Sequence, residues 1–464
     1  MFERDEQIPC LREKQKSVCT MKKILFITAS YFPHPKQVAA CLKNVMSECR
    51  KSDFDVYCIS GTYYETESRF EVIDGVEVYK CNYSCGRRLL KVQPKKKSVT
   101  SLFIRFLQSL ERAVLFLKKL TFPFCWPFFD HALSRRLYSK ANQLHAKHKF
   151  DAMVAAFCPF ESINAGYHFA KKHKEVSCFF YYLDAFSGRY WDVISPGNVS
   201  GKHRYKFLRL GKLFFFLAKR IELKISRYAA GIIVMESARN HFVKNFSNTH
   251  LINKIHFLGI PRLENKMEKF VSSSDCSASL FTEGKMHFLY AGNLYGLRDP
   301  SYIVSVAKNL NRSDVEFVFI GSFCQKYSGL LRDAMIEYPD RFKIAGRMSY
   351  EEIEKYMAHA DFLLNIEDNI QCLTASKIID YVSYGKPIIT NAYSSSDPSV
   401  KLLTMYGNSL VLFNTDEISQ SVSKLNDFVD SCLGQTADYK DVQRLFYTST
   451  PGAFVDVLNS VLSK

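Results

Sequence analysis

Glycines and cations that follow apolar runs in the second half of the chain are the first candidates for a chemical site. Gly292 and Asn293 come directly after the apolar run 286–291, and Arg298 follows shortly afterwards. A glycine at such a turn lets a phosphate approach the backbone, and a guanidinium offers two parallel hydrogen bonds to it. Gly321 ends a second run of the same kind. The pattern predicts a diphosphate pocket, although a glycine after a strand is common in any α/β protein.

The chain between residues 360 and 389 carries the strongest pattern. An apolar run leads into a polar loop from Glu367 to Thr374, and a predicted helix then begins with Ser376 and Lys377. Backbone amides, a hydroxyl and an ammonium at a helix start can hold an anion together. Asp380 lies one turn further along, where a carboxylate can accept hydrogen bonds from ribose hydroxyls. The structural alternative is a capped helix with an exposed lysine.

Carboxylates in the first half are candidates for contact with a second substrate. Asp184 follows the apolar run 176–183, at the edge where a cleft is predicted, and a purely structural hydrogen-bonding role is an equal alternative. His34 is a weaker candidate, because it lies in a proline-containing loop. The pair Asp53 and Asp55 begins a strand in the first half, away from the predicted diphosphate pocket, and does not indicate a metal there. We therefore expect no metal and no cofactor.

The elements that must position these residues alternate between apolar runs and helical patterns. Such alternation predicts an α/β fold with two Rossmann-like domains that face each other across a cleft. The domains are expected at 21–260 and 286–435, with a serine-rich linker at 261–285 and a helical segment at 436–464 that crosses back to the first domain. The polar residues 1–20 are expected to be a non-native or disordered extension. The predicted strands are 24–29, 55–60, 72–80, 152–156, 176–183, 229–235, 286–291, 315–320, 342–344, 362–366 and 387–390.

Composition limits the function classes. The 464 residues are 47% hydrophobic and 23% charged, which excludes wholesale disorder. The net charge of +17 suggests an anionic partner: nucleic acid, a phosphorylated substrate or a membrane. Fourteen cysteines are scattered without a C-x-x-C pair, which argues against a zinc site or a compact disulfide framework. A nucleic-acid reader is disfavoured, because the charge clusters in an insertion rather than on a reading helix or a sheet platform.

That insertion, residues 86–149, holds fifteen Lys and Arg against two acidic residues, and many of its other residues are aromatic. Cations beside exposed rings are what a helix at a membrane interface needs. The alternative is that the aromatics belong to the core and the cations to a solvated face. No apolar stretch is long and uncharged enough to be a confident transmembrane helix.

The chain resembles the GT-B glycosyltransferases of the group 1, or family 4, class. The resemblance rests on the first strand at 22–27, the turn from Tyr290 to Leu294, Gly321, Gly346 and the block 360–389, and it extends from residue 21 nearly to the end. It implies a donor site for a nucleoside diphosphate sugar in the second domain and an acceptor site in the first.

The resemblance also implies roles for particular residues. Arg298 and Lys377 would neutralise the donor diphosphate, and Gly292, Asn293 and Gly321 would line the nucleotide pocket. Asp380 would bind ribose, as the second acid of a Glu-x7-Glu pair. The loop from Glu367 to Thr374, followed by Ser376, would approach the sugar and the diphosphate. The first acid of the pair falls at Cys372, which departs from the common pattern and matches a Ser-Lys-x-x-Asp-Tyr variant.

The expected function is sugar transfer from a nucleotide sugar to a lipid-linked glycan in bacterial capsule or O-antigen assembly, with retention of configuration. Asp184, Arg298 and Lys377 are the expected catalytic residues. The expected location is cytoplasmic, on the inner face of the plasma membrane. The alternatives are a catalytically inactive GT-B scaffold of a synthase complex and a nucleotide-sugar epimerase.

Overall fold

The fold was analysed in a computed structural model of the chain. The structure describes residues 21–32, 37–64, 67–92, 99–121, 126–157, 159–184, 186–187, 211–267, 280–296, 298–368 and 376–463. The predictions for residues 1–20, His34, Cys372, Thr374 and the serine-rich part of the linker lie outside these ranges.

The first half builds an eight-stranded sheet. Its strands are β1 (Lys22–Ile27), β2 (Phe54–Thr62), β3 (Phe70–Ile73), β4 (Val76–Asn82), β5 (Ala152–Phe157), β6 (Ser177–Tyr182), β7 (Gly231–Met235) and β8 (Ile255–Leu258). They lie in the order β3-β4-β2-β1-β5-β6-β7-β8, and β3 alone pairs antiparallel to its neighbour. The central strands are apolar on both faces, because helices cover the sheet from both sides.

Seven α-helices belong to the described part of this half. They are α1 (Gln37–Lys51), α2 (Cys85–Leu89), α3 (Val99–Leu120), α4 (His131–His148), α5 (Phe160–Lys172), α6 (Gly211–Ser226) and α7 (Arg239–Phe246). Helix α4 presents Leu133, Leu137 and Leu144 to the core beneath one face of the sheet. Helix α1 packs its own apolar side, including Leu42 and Val45, against the other face.

The second half builds a six-stranded parallel sheet in the order β11-β10-β9-β12-β13-β14. The strands are β9 (Met286–Ala291), β10 (Val315–Ile320), β11 (Phe342–Ala345), β12 (Phe362–Ile366), β13 (Ile388–Ala392) and β14 (Ser409–Phe413). The helices are α8 (Ser301–Lys308), α9 (Gln325–Glu337), α10 (Tyr350–His359), α11 (Ser376–Val382), α12 (Pro398–Tyr406), α13 (Ile418–Cys432), α14 (Tyr439–Leu445) and α15 (Pro451–Leu462). Two apolar clusters fill the space between this sheet and its helices.

The last helix returns to the first sheet. Phe454 of α15 packs edge-on against Tyr181 of β6, with ring centroids 5.0 Å apart, and Leu458 joins the core cluster that contains Phe26 and Val45. The two sheets are thus connected twice, once by the chain after β8 and once by the return of α15.

The basic aromatic segment 86–149 does not form a single surface. Trp126 and Phe129 pack against the first core, and α4 supplies several core leucines. Helix α3 instead keeps large apolar side chains exposed. Among the described helices, none combines the length and the apolar character needed to cross a bilayer.

Candidate functional site

The carboxyl ends of β9 and β10 form a backbone cradle. Gly292 follows β9 with φ +155°, and Gly321 follows β10 with φ +148°. L-residues rarely adopt these angles, and a Cβ added at Gly321 would overlap the carbonyl oxygen of Gly292. The two turns therefore approach each other at a distance that only glycine allows.

Lys377 reaches into this cradle from α11. Its Nζ lies 4.3 Å from the centroid of the Tyr290 ring, and a Cβ added at Gly292 would overlap that nitrogen. The ammonium is shielded from solvent and has no hydrogen-bond partner within the described part of the chain. Burial, followed by the charge of Arg298, lowers the pKa of Lys377 to about 7. Because α11 spans only seven residues, the site depends on this side chain more than on the helix terminus.

Arg298 lies on the other side of the cradle and is held by an acidic partner. Its Nη2 is 2.8 Å from Oδ2 of Asp368, and the hydroxyl of Tyr295 donates to the same oxygen at 3.3 Å. Nε of Arg298 and Oδ1 of Asp368 are buried without a hydrogen bond to any residue that the structure describes. A polar ligand can therefore accept a hydrogen bond from Nε of Arg298 and donate one to Oδ1 of Asp368.

Glu367 is the last buried acid before the loop that the sequence singled out. It is 2% exposed and accepts a hydrogen bond of 2.5 Å from Nδ2 of Asn365. Burial, and then the nearby charge of Asp397, raises the pKa of Glu367 to about 7. Near neutral pH this carboxyl therefore carries a proton about half of the time.

Asp380 has a partner outside this cradle. Its Oδ1 lies 2.9 Å from Nε of Arg262, in the chain that connects the two sheets. Arg262 also approaches Cys41 of α1 closely enough to influence the pKa of that thiol. Burial raises the pKa of Asp380, and Arg262 and Lys266 oppose that rise. The residue that the resemblance implies for ribose thus lies where the connecting chain, α1 and α11 meet.

The remaining predicted residues occupy less informative positions. Asn293 is exposed, and its backbone carbonyl accepts a hydrogen bond from the Tyr290 hydroxyl at 3.1 Å. Asp184 lies two residues after β6, at the carboxyl edge of the first sheet, and is partly buried. Ser376 begins α11, and Thr374 falls outside the described residues.

The structure adds Tyr290, Asp368 and Arg262 to the site, and sequence reasoning gave none of them a role. Tyr290 was counted as a strand residue and Arg262 as part of the linker. Asp368 fell inside the loop from Glu367 to Thr374 without a role of its own. The one sequence feature that could have indicated a role for Tyr290 is a tyrosine inside an apolar run that ends at a glycine.

A second titratable cluster lies at the opposite edge of the first sheet. His145, His173 and Glu175 are the only group of possible metal ligands that the described part of the chain brings together. Nδ1 of His145 accepts the amide hydrogen of Phe150 at 3.1 Å, so the proton of a neutral ring lies on Nε2, which faces Glu175 at 3.3 Å. Hydrogen bonds therefore account for this cluster without a cation.

No family model and no curated protein sequence matches the chain. Solved structures do match over nearly its whole length. Sucrose-phosphate synthase from Thermosynechococcus elongatus matches with TM-score 0.62 at 11% identity, covering 95% of this chain and 99% of that one. The α,α-trehalose-phosphate synthase (UDP-forming) from Burkholderia xenovorans matches with TM-score 0.59 at 9% identity, covering 95% and 100%. HepE from Anabaena, in complex with UDP and glucose, matches with TM-score 0.50 at 12% identity, covering 95% and 97%. At these identities the likeness establishes the fold, and the GT-B architecture predicted from the sequence is confirmed.

Proposed function

We propose that this GT-B chain is a glycosyltransferase that moves a sugar from a nucleoside diphosphate sugar to a hydroxyl of a lipid-linked glycan, with retention of configuration. The observation that carries the proposal is the buried Nζ of Lys377, which lies over the Tyr290 ring and against Gly292 and has no hydrogen-bond partner among the described residues. A buried ammonium without a hydrogen bond is unfavourable, and an anionic ligand at the cradle removes that penalty.

The chemistry follows from the charges around the cradle. A donor diphosphate placed at Gly292 and Gly321 would meet backbone from two turns and the ammonium of Lys377. Arg298 can turn its unused Nε–H towards the same oxygens while it keeps its contact with Asp368. Negative charge that develops on the leaving diphosphate is then stabilised by groups already in place.

UDP is the first nucleotide to test. The trehalose-phosphate synthase carries UDP-forming in its name, and the HepE structure contains UDP and glucose. In our proposal Asp380 receives the ribose, and the loop after Glu367 approaches the sugar. Asp184, at the carboxyl edge of the first sheet, contacts the acceptor hydroxyl.

The acceptor and the location are the finer parts of the proposal. The exposed cations of α3, among them Arg105, Arg112 and Lys118, suit a phosphorylated lipid acceptor at an anionic membrane surface. This supports an enzyme of surface polysaccharide assembly that works at the inner face of a bacterial plasma membrane.

The test is a thermal-shift panel of UDP, GDP, CMP and their sugar conjugates. We expect one nucleotide to stabilise the protein and Lys377→Ala to abolish that stabilisation. Lys386→Ala is the matched control: burial also lowers the pKa of Lys386, which lies at the other end of β13. Arg298→Gln is a second site variant, in case Lys377→Ala disturbs folding.

The outcomes separate the alternatives. Binding of no nucleotide contradicts the proposal and favours an inactive scaffold. Nucleotide-sugar binding with conversion of the sugar but no transfer to added lipid-linked glycan favours an epimerase.

A further inference from the structure

Helix α3 turns its apolar side towards solvent. Of the 23 large apolar side chains that are exposed in the described part of the protein, eight lie on this one helix. Leu102, Phe106, Leu117 and Leu120 each keep between 57% and 66% of their surface exposed. At 100° per residue these four fall within one narrow stripe along the helix. Apolar patches of this extent on a protein surface usually mark an interaction site.

The rotation of α3 is fixed by polar contacts on its inner side. Ser101 and Gln108 are buried, and the Gln108 amide donates to the carbonyls of Leu89 at 3.0 Å and Val92 at 2.8 Å. The carboxylate of Glu111 lies against Gly86 of α2. A helix that packs by its apolar side has the opposite arrangement. The outward stripe is therefore held in place by the polar contacts beneath it.

Cations flank the stripe. Arg105 and Arg112 lie along one side of it and Lys118 along the other, and all three are exposed. The only acid of the helix is Glu111, which faces inward. The chain just before α3 adds Lys95, Lys96 and Lys97 in the sequence. An apolar stripe with basic borders is complementary to a surface that offers anionic headgroups above an apolar layer.

Helix α3 is attached to the first sheet through α2, at the carboxyl end of β4. Helix α2, which holds α3, begins directly after the carboxyl end of β4. Asp130, which precedes α4, accepts hydrogen bonds from the Ser84 amide at 2.9 Å and hydroxyl at 2.7 Å, and its own amide donates to Glu161 at 2.9 Å. Ser84 and Glu161 follow the carboxyl ends of β4 and β5, and Asp130 is bonded to both. The stripe is therefore attached to the edge of the sheet where ligands bind in α/β proteins.

From these contacts we infer that α3 is an interfacial helix, which lays its outward stripe into the headgroup region of an anionic lipid bilayer. Its 22 residues span about 33 Å and lie along the surface. A second copy of the chain fits the stripe less well, because a symmetric contact would bring the basic borders of both copies together. The inference deepens the membrane part of the proposed function and does not depend on the donor site.

Vesicle flotation tests the docking face. The probes are phosphatidylcholine vesicles with and without about one third phosphatidylglycerol, at low and high salt. We expect the full chain to bind the anionic vesicles at low salt. Phe106→Gln with Leu117→Gln should reduce the partition coefficient about tenfold or more. Ile336→Gln with Leu433→Gln is the matched control, because these two exposed apolar residues lie away from α3.

A charge variant separates the two sources of affinity. Arg105→Gln with Arg112→Gln should weaken binding to anionic vesicles several-fold and reduce its salt dependence. Equal binding by the stripe variant and its control would overturn the inference. So would an association between copies of the chain that the stripe variant abolishes while no vesicle binds. Nucleotide-induced thermal stabilisation, measured on every variant, reports the donor site separately: its loss everywhere contradicts the proposed function and leaves this inference standing.

Discussion

The lowered pKa of Lys377 makes nucleotide binding depend on pH in a defined way. With a pKa of about 7, the ammonium is present in about half of the free molecules at pH 7, about one tenth at pH 8 and about one hundredth at pH 9. The diphosphate of UDP stays fully charged over this range, because its terminal phosphate titrates near pH 6. If UDP binds only the ammonium form, its Kd should rise about fiftyfold from pH 7 to pH 9.

Two of the other groups around Lys377 keep their charge state over this range. Arg298 stays protonated, and burial keeps Tyr290 neutral by raising its pKa far above this range. Glu367 loses its own proton near pH 7 and so adds a repulsive charge over the same interval. We therefore expect Glu367→Gln to reduce the rise of the UDP Kd with pH. Lys377→Met should remove the part of that rise that comes from the lysine.

Isothermal titration calorimetry from pH 6.5 to 9 measures the effect. Titrations in buffers of different ionisation enthalpy should show uptake of about half a proton per UDP at pH 7 and nearly one at pH 8, since the bound anion raises the pKa of Lys377. A pH-independent Kd refutes the reasoning. If Lys377→Met shows the same dependence of Kd on pH, another group causes that dependence.

The same burial destabilises the free protein. A lysine whose pKa is lower in the folded state makes the unfolded chain hold more protons between pH 7 and about 10.5, so stability rises with pH over that interval. The burial penalty is about 4 kcal/mol at pH 7. Lys377→Met, measured without ligand, should therefore melt at a higher temperature than the parent chain while it binds UDP less well.

Two further predictions concern backbone and charge. Gly321→Ala should lower the free energy of unfolding by about 2–4 kcal/mol, because its Cβ meets the Gly292 carbonyl, whereas Gly346→Ala, with open space at its Cβ, should change it by about 0.5 kcal/mol or less. Arg262→Gln leaves Asp380 buried without its cation and should cost about 3–5 kcal/mol, most of which Asp380→Asn in the same chain restores. Urea denaturation of each variant and its control measures both effects, and equal midpoints would contradict either prediction.

The sequence predicts the central strands well but misses two of the four edge strands. Strands β9, β10 and β12 have the predicted bounds, because each is buried on both faces and reads as an unbroken apolar run. Strands β8 and β14 were not predicted. Both lie at a sheet edge and are mostly only partly buried, so their residues follow no clear apolar pattern.

The sequence predicts those parts of the candidate site that follow from the order of strands and helices. Gly292, Gly321 and Lys377 come together because the elements that carry them meet at the carboxyl edge of one parallel sheet. The side-chain partners were not predictable. Asp368 pairs with Arg298 across 70 residues, and nothing in either local pattern specifies that contact.

Composition likewise could not show which parts of the basic aromatic segment 86–149 pack in the core and which face solvent. Helices α3 and α4 both mix cations with apolar residues, and only the fold shows that α4 packs its leucines inward while α3 exposes its own. The difference lies in polar residues that composition treats as neutral. Gln108 binds two carbonyls beneath α3 and so decides which side of that helix faces out.

Helix α11 links the proposed donor cradle to the chain that connects the two sheets. Lys377 points from it into the cradle, and three residues later Asp380 binds Arg262 of the connecting chain. The backbone next to Arg262 is held in turn by α1, because Asn44 donates to the carbonyl of Pro261 at 3.2 Å. In our proposal a nucleotide that reaches Asp380 with its ribose competes with Arg262 for the same carboxylate. In this proposal, donor binding and the contact with the connecting chain both involve α11, a helix of seven residues. The connecting chain leads to the first domain, which carries α3.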